Sequence, residues 1–180
     1  MTEFEELLDY WFRTLDREAW FVADAAVDAE LGRRFGDLPD RACGGGLASW
    51  AATPKGALAQ VLVLDQLPRN LFRGTARAFA FDDAALTAAA MAIEQQQDQD
   101  LSIDERHFLY LPFEHSERLA DQDRAVTLIG ALGDAVYTDY AERHRDVIRR
   151  FGRFPHRNDV LGRTSTSAEC TYVAETDSGF

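Results

Sequence analysis

"TPKGALAQVLVLDQLPRN", residues 53–70, decides the fold. A threonine followed by a proline is a helix opening. The hydroxyl of Thr53 can accept from an orphan amide of the first turn, and the N–H that Pro54 lacks would be unpaired there anyway. The run Val61–Leu64 is apolar on every side. A helix without a polar face has no surface to offer water, so this one is predicted to be central and buried. Pro68 removes a donor and crowds the preceding turn, so it is read as the end of the helix and "PRNLFRG", residues 68–74, as a turn.

Working outward, Phe4, Leu7, Leu8 and Trp11 recur at helical spacing and predict a helix over residues 3–13. Ala25, Val27, Leu31 and Phe35 predict a second over 24–35, ending at Gly36. "GDLPDRACGGG", residues 36–46, reads as a loop from its proline and glycines. On the other side, Asp82 is expected to cap an alanine-rich helix over 83–97. Ser102-Ile-Asp-Glu105 is a capping box for the next helix, which Pro112 ends or kinks. Helices are predicted over 116–131 and 134–151, the latter with Tyr137, Tyr140, His144, Val147, Ile148 and Phe151 on one face. Thr166-Ser-Ala-Glu169, a further capping box, introduces a short final helix. No segment alternates in the manner of a strand. The expected class is all-α, one domain over 1–180, built as stacked antiparallel hairpins. "LPRNLFRG" at 67–74 and "FPHRNDVLGR" at 154–163 echo each other, but no 34-residue repeat is visible.

Charge is unevenly spread. Residues 143–163 hold seven arginines against two aspartates, an excess of five, which leaves −17 on the rest of a chain whose net charge is −12. An acidic body lacks the extended basic face that nucleic acid requires. A small basic pocket remains possible, and arginine, 18 of the 19 basic residues, suits bidentate contacts with carboxylate or phosphate. No apolar run is long enough to cross a bilayer. The opening "MTEFEELLDYWF" lacks the basic and apolar regions of a signal peptide. Cys43 and Cys170 form no C-x-x-C pair, so a reduced cytoplasmic setting without structural zinc is expected.

Three stretches concentrate polar chemistry. "LDQLPRN" sets Asp65, Gln66, Arg69 and Asn70 at the end of an apolar helix. Such a pair of charges is either a site or a hydrogen-bonded core pair, with Asn70 read as a left-handed helix terminator. "LPFEHSE" offers His115 and Glu117 as an acid–base pair, or Ser116 as an N-cap. "HRDVIRRFGRFPHRN" puts His144 on an apolar stripe, Gly152 at a helix C-terminus, and Arg153, His156, Arg157 and Asn158 on the loop beyond. Arg153 there also suits the negative end of a helix dipole. Phosphate-loop, dinucleotide, serine-nucleophile and H-E-x-x-H motifs are missing. "DERH", residues 104–107, is one fragment of a di-metal pattern, so no metal or other cofactor is expected.

"LVLDQLPRNLFRGTARAFAFD", "RHFLYLPFEHSE" and "HRDVIRRFGRFPHRNDVLGRTST" together resemble the bacterial domain-of-unknown-function 924 family. Trp11-Phe12, Trp20-Phe21 and Glu169 extend the similarity over nearly the whole chain, and Arg13 stands where the family usually has glycine. The resemblance implies a tetratricopeptide-like α-helical superhelix. It also marks Asp65, Gln66, Arg69, Asn70, Arg73, His115, Glu117, His144, Arg153, His156, Arg157, Asn158, Arg163 and Thr166 as motif positions. A core needs apolar volume, so a motif of polar positions implies a site. The leading expectation is a groove that binds an anionic small molecule or peptide carboxylate. An enzyme using His115 or His156 with arginine anion stabilisers is the first alternative, and a purely structural polar network the second. The oligomeric state is not readable.

Overall fold

The computed structural model describes residues 1–175, and among these every regular element is helical. The helices are α1 (Glu3–Asp9), α2 (Ala25–Phe35), α3 (Leu38–Cys43), α4 (Pro54–Leu71), α5 (Asp82–Glu94), α6 (Ile103–Glu114), α7 (Leu119–Gly130), α8 (Ala135–Phe151) and α9 (Ser167–Glu175). Short 3-10 turns join several of them, and a π-helical turn, Tyr10–Thr14, follows α1. No described helix is long and apolar enough to cross a membrane. The described residues are all-α.

Two compact units are present. The first comprises Met1–Arg73 and Arg77–Pro112; the second comprises Gly74–Ala76 and the chain from Phe113 onward. In the first, α4 is the axis on which α1, α2, α3, α5 and the 3-10 turn Ala48–Ala52 pack. Thr53 caps it as expected, its side chain accepting from the Gly56 amide at 3.2 Å. Residues 56–59 and 61–68 are all buried, as an all-round apolar run requires. An aromatic cluster built on Phe108 completes this unit, with Trp11 and Trp20 edge-on at 5.6 and 5.1 Å. The Trp20 indole donates to the Trp11 carbonyl at 2.7 Å.

Several local expectations change. Pro68 does not end α4, which runs on to Leu71. Beside the proline, the Arg69 guanidinium donates to the neighbouring Asp65 carbonyl at 2.7 Å, while the Leu64 carbonyl is the one that the missing Pro68 N–H leaves without its helical donor. The 36–46 stretch is not a continuous loop but contains α3, since Pro39 falls in its first turn, where no amide donor is needed. Asp82 does not cap α5; Phe81 stands at that position and the Asp82 carboxylate serves Arg69 instead. That helix ends at Glu94, where Gln96 turns into the left-handed region with φ of 58°.

In the second unit α7 and α8 pack together across the turn between them. The side chain of Asp134 caps α8, and Gly152, with φ of 71°, ends it in the left-handed conformation that glycine adopts without cost. On the α8 stripe Tyr137, His144, Val147 and Ile148 are buried, whereas Tyr140 is 44% exposed. Ser116 does not cap α7. Its hydroxyl accepts from the Arg118 amide and donates to Asp121, a local turn ahead of the helix. Gln122, wholly buried, donates to the Ser116 carbonyl at 2.6 Å and so satisfies a group past the end of α6.

Gly56 is required by the packing of the first unit. A Cβ built there would lie 2.0 Å from the Trp50 carbonyl oxygen, and a backbone atom cannot rotate away. Gly56→Ala is expected to lower the unfolding free energy by about 1–3 kcal/mol, the range for overpacking, read from urea or guanidinium midpoints.

Candidate functional site

The sequence-selected residues separate between the two units. In the first, Asp65 is fully buried and sits in a polar knot near the end of α4. Arg69 forks onto Asp82 at 2.9 and 3.2 Å, and its Nη1 lies 3.3 Å from Asp65 Oδ1. Gln66 donates to the other Asp65 oxygen at 2.6 Å. Burial pulls the Arg69 pKa down most strongly, but Asp65 and Asp82 override it and the net shift is upward. This guanidinium stays charged and committed to two carboxylates.

Asn70 is helical rather than left-handed, because its amide donates to Asp28 at 2.8 Å. Arg73 grips the same carboxylate at 2.9 and 3.0 Å. Together they tie α4 and its exit to α2.

In the second unit two arginine–carboxylate clamps shape the chain after α8. Arg163 forks onto Glu117 at 2.7 and 3.0 Å, and the Phe154 amide donates to the same carboxylate at 2.8 Å. Burial pushes the Glu117 pKa up, and Arg163 with the Phe154 amide more than reverses it, so the net direction is down. Arg153 forks onto Glu169 at 2.6 and 2.9 Å and donates to the Thr164 carbonyl, rather than to the α8 carbonyls. Glu169 is 3% exposed and closes the expected capping box with Thr166, at 2.7 and 3.3 Å. The Arg153 hydrogen bond, aided by the Thr166 amide, holds its carboxyl well below the usual carboxylate range. Asn158 is buried and its amide donates to Ser165 at 3.0 Å, closing the loop between the two clamps.

Phe154, fully buried, is the centre of a different set. The His144 ring meets it edge-on at 5.7 Å, the His156 ring lies at 5.6 Å, and the Arg157 guanidinium sits 4.5 Å over its face. The His115 ring is 6.2 Å from that of His144. Arg157 is only 6% exposed, so its charge lies in a partly desolvated place beside an aromatic face, where cation–π attraction is strengthened.

His144 reports the field of this cluster. Burial is the main force depressing its pKa, and the charges of His115, Arg157 and His156 push the same way. The Tyr140 carbonyl opposes them, and the result is about 3. The imidazole is therefore neutral at pH 7. A carbonyl can only accept, so Nδ1, 2.8 Å from Tyr140 O, carries the proton and Nε2 the lone pair. Glu114 Oε1 lies 3.2 Å from the same Nδ1. With a neutral imidazole that contact is a hydrogen bond and not an ion pair.

Glu114 is the member that sequence reasoning passed over. It is 2% exposed at the last position of α6, next to His115. Its adjacency to His115 in "FEHSE" was the available signal. Side chains one residue apart diverge on a helix, so only the helix end lets both approach α8.

An all-α chain carrying a histidine–arginine cluster on a Phe-Pro-His-Arg turn is the class that these observations define. Residues 7–177 match the family described as bacterial protein of unknown function (DUF924), and the chain belongs to that family. It is similar to a solved structure, the protein of unknown function ATU0120 from Agrobacterium tumefaciens, at 42% identity and a TM-score of 0.92. That similarity covers 96% of this chain and 97% of the other. No curated protein matches the chain.

Proposed function

We propose that this is a cytoplasmic binding protein whose second unit takes a small anion, a phosphate or a carboxylate, at the cluster of His115, His144, His156 and Arg157. The observation that carries this reading is the convergence of two imidazoles, His144 and His156, and the Arg157 guanidinium on Phe154, with the His115 ring 6.2 Å from that of His144. Burial first, and then His115, Arg157 and His156, disfavour a proton on His144, so positive charge there is poorly tolerated. An anion beside Arg157 is favoured by the same secondary charges. The packed α7–α8 pair is consistent with hairpins of the tetratricopeptide type, whose surfaces serve binding more often than catalysis.

A second reading applies to the remaining motif arginines. Arg69, Arg73, Arg153 and Arg163 each fork onto a carboxylate of this same chain, which favours a structural role for them. The family motif then contains both a scaffold and the cluster that the scaffold holds.

Inorganic phosphate and succinate are the probes. Either one is expected to raise the Tm of the native chain in a concentration-dependent way. His156→Ala and Arg157→Gln should each reduce that rise at least about tenfold in ligand affinity, the scale of a lost charged hydrogen bond. A rise of equal size in both variants, or none with either probe, overturns the reading.

A further inference from the structure

We propose that Glu114, His115 and His144 form a binding site for a divalent transition-metal ion, with zinc as the matching case. One ligand atom from each of the three lies within 4.8 Å of the other two, and no other such group of histidine, cysteine or acidic side chains occurs among the described residues. In a tetrahedral site with bonds of about 2.1 Å the ligand atoms stand about 3.4 Å apart, so small side-chain rotations close the set.

The donor chemistry is that of zinc. Two imidazoles and one carboxylate leave a fourth position open, the ligand count of zinc centres that bind water or substrate. Calcium and magnesium want oxygen ligands throughout, which two imidazoles do not supply. The positions are also well supported. Glu114 and His144 are 2% and 5% exposed, so water competes weakly for the ion. Metal-bound imidazoles usually donate their second nitrogen to a carbonyl or carboxylate. The Tyr140 carbonyl, 2.8 Å from His144 Nδ1, orients that ring, and Glu114 Oε1 already lies 3.2 Å from the same nitrogen. The element ends bring the three together: the last residue of α6, the residue after it, and the tenth residue of α8.

One carboxylate against a dication leaves a net positive charge beside Arg157. The open position then favours an anionic fourth ligand, the same chemistry proposed for the cluster above. The metal site does not rest on that reading, because the ion is tested alone and the anion can be tested in chelator.

The test is calorimetric titration of the chelator-treated full chain with zinc, in a Cys43→Ser/Cys170→Ser background, since both thiols are exposed and would bind zinc themselves. One equivalent is expected to bind. Glu114→Gln and His115→Ala should each weaken it by more than about tenfold, the effect that even an outer-shell change can have. Cobalt in place of zinc should give the intense visible bands of a four-coordinate ion, lost in the same variants. His115 is half-buried and on no helix, so its variant tests the site even if substitution of Glu114 prevents folding. Absence of a one-equivalent site in the parent, or an unchanged affinity in a folded His115→Ala protein, overturns the proposal.

Discussion

Arg69→Ala is expected to lower the unfolding free energy by about 3–5 kcal/mol, the cost of leaving a buried charge without its partner. Asp65 is the reason. Its side chain is fully buried, accepts from the Gln66 amide at 2.6 Å and lies 3.3 Å from the Arg69 guanidinium. Truncation also removes the guanidinium bond to the Asp65 carbonyl and the fork on Asp82. The effect belongs to the pair rather than to the arginine, so the double variant Asp65→Asn/Arg69→Met should regain most of the loss. Chemical denaturation of the two singles and the double closes the cycle. A loss below about 1 kcal/mol for Arg69→Ala, the value of an exposed ion pair, would show that Asp65 is solvated or protonated instead. The phosphate response should survive in the double variant, which separates the scaffold from the cluster.

That contrast bears on how the polar motif could be read from the chain. The helix through residues 53–70 was legible because a capped start and an all-round apolar run leave few alternatives, and all three capping or proline signals at Thr53, Ser102 and Thr166 are realised. Pro68 misleads for a physical reason. A proline removes one ladder bond, here to the Leu64 carbonyl, and the helix runs on for a turn beyond it to Leu71, with the Arg69 guanidinium donating to the adjacent Asp65 carbonyl. The same side chain took Asp82 from its expected cap. Long-range pairings of this kind have no local signature, and neither does the joining of Asn70 and Arg73 on Asp28, some forty residues earlier in the chain.

The candidate site divides along the same line. His115, His144, His156 and Arg157 could be selected by type, because charge and imidazole in an apolar context are unusual. Their sorting into one cluster could not, since it depends on Phe154, whose apolar side chain carries no chemistry in sequence. Conversely, Arg153 and Arg163 look like ligand-binding cations in sequence and are occupied by Glu169 and Glu117 in the fold. A carboxylate partner many residues away converts an apparent anion site into a brace.

His144 yields the other large effect, a loss of stability that begins near neutrality instead of in the carboxylate range. Its pKa in the fold is about 3, against 6.5 for an unperturbed histidine. Between these values the unfolded chain binds a proton at this position and the native chain does not, so stability falls as pH falls. The contribution is fully present above pH 6.5 and is lost progressively down to about pH 3. The expected loss is about 2 kcal/mol between pH 7 and pH 5 and about 4 kcal/mol by the lower end of the window. Burial sets the sign, and the groups facing His144 modulate it. His115, His156 and Arg157 oppose its protonation, the Tyr140 carbonyl holds Nδ1, and Glu114 stands at 3.2 Å. Glu105, Glu117 and Glu169, whose pKa values are all lowered, add a loss of the same sign, but only as pH falls below their unfolded values near 4.5. The region between pH 5 and 7 therefore isolates the histidines. Urea midpoints at half-unit intervals, in chelator, should show the slope in the native chain and a much flatter line in His144→Gln. An identical slope in that variant would assign the effect to another histidine. Zinc should steepen the loss, since protons and the ion compete for the same imidazole, and that change should disappear with His115→Ala.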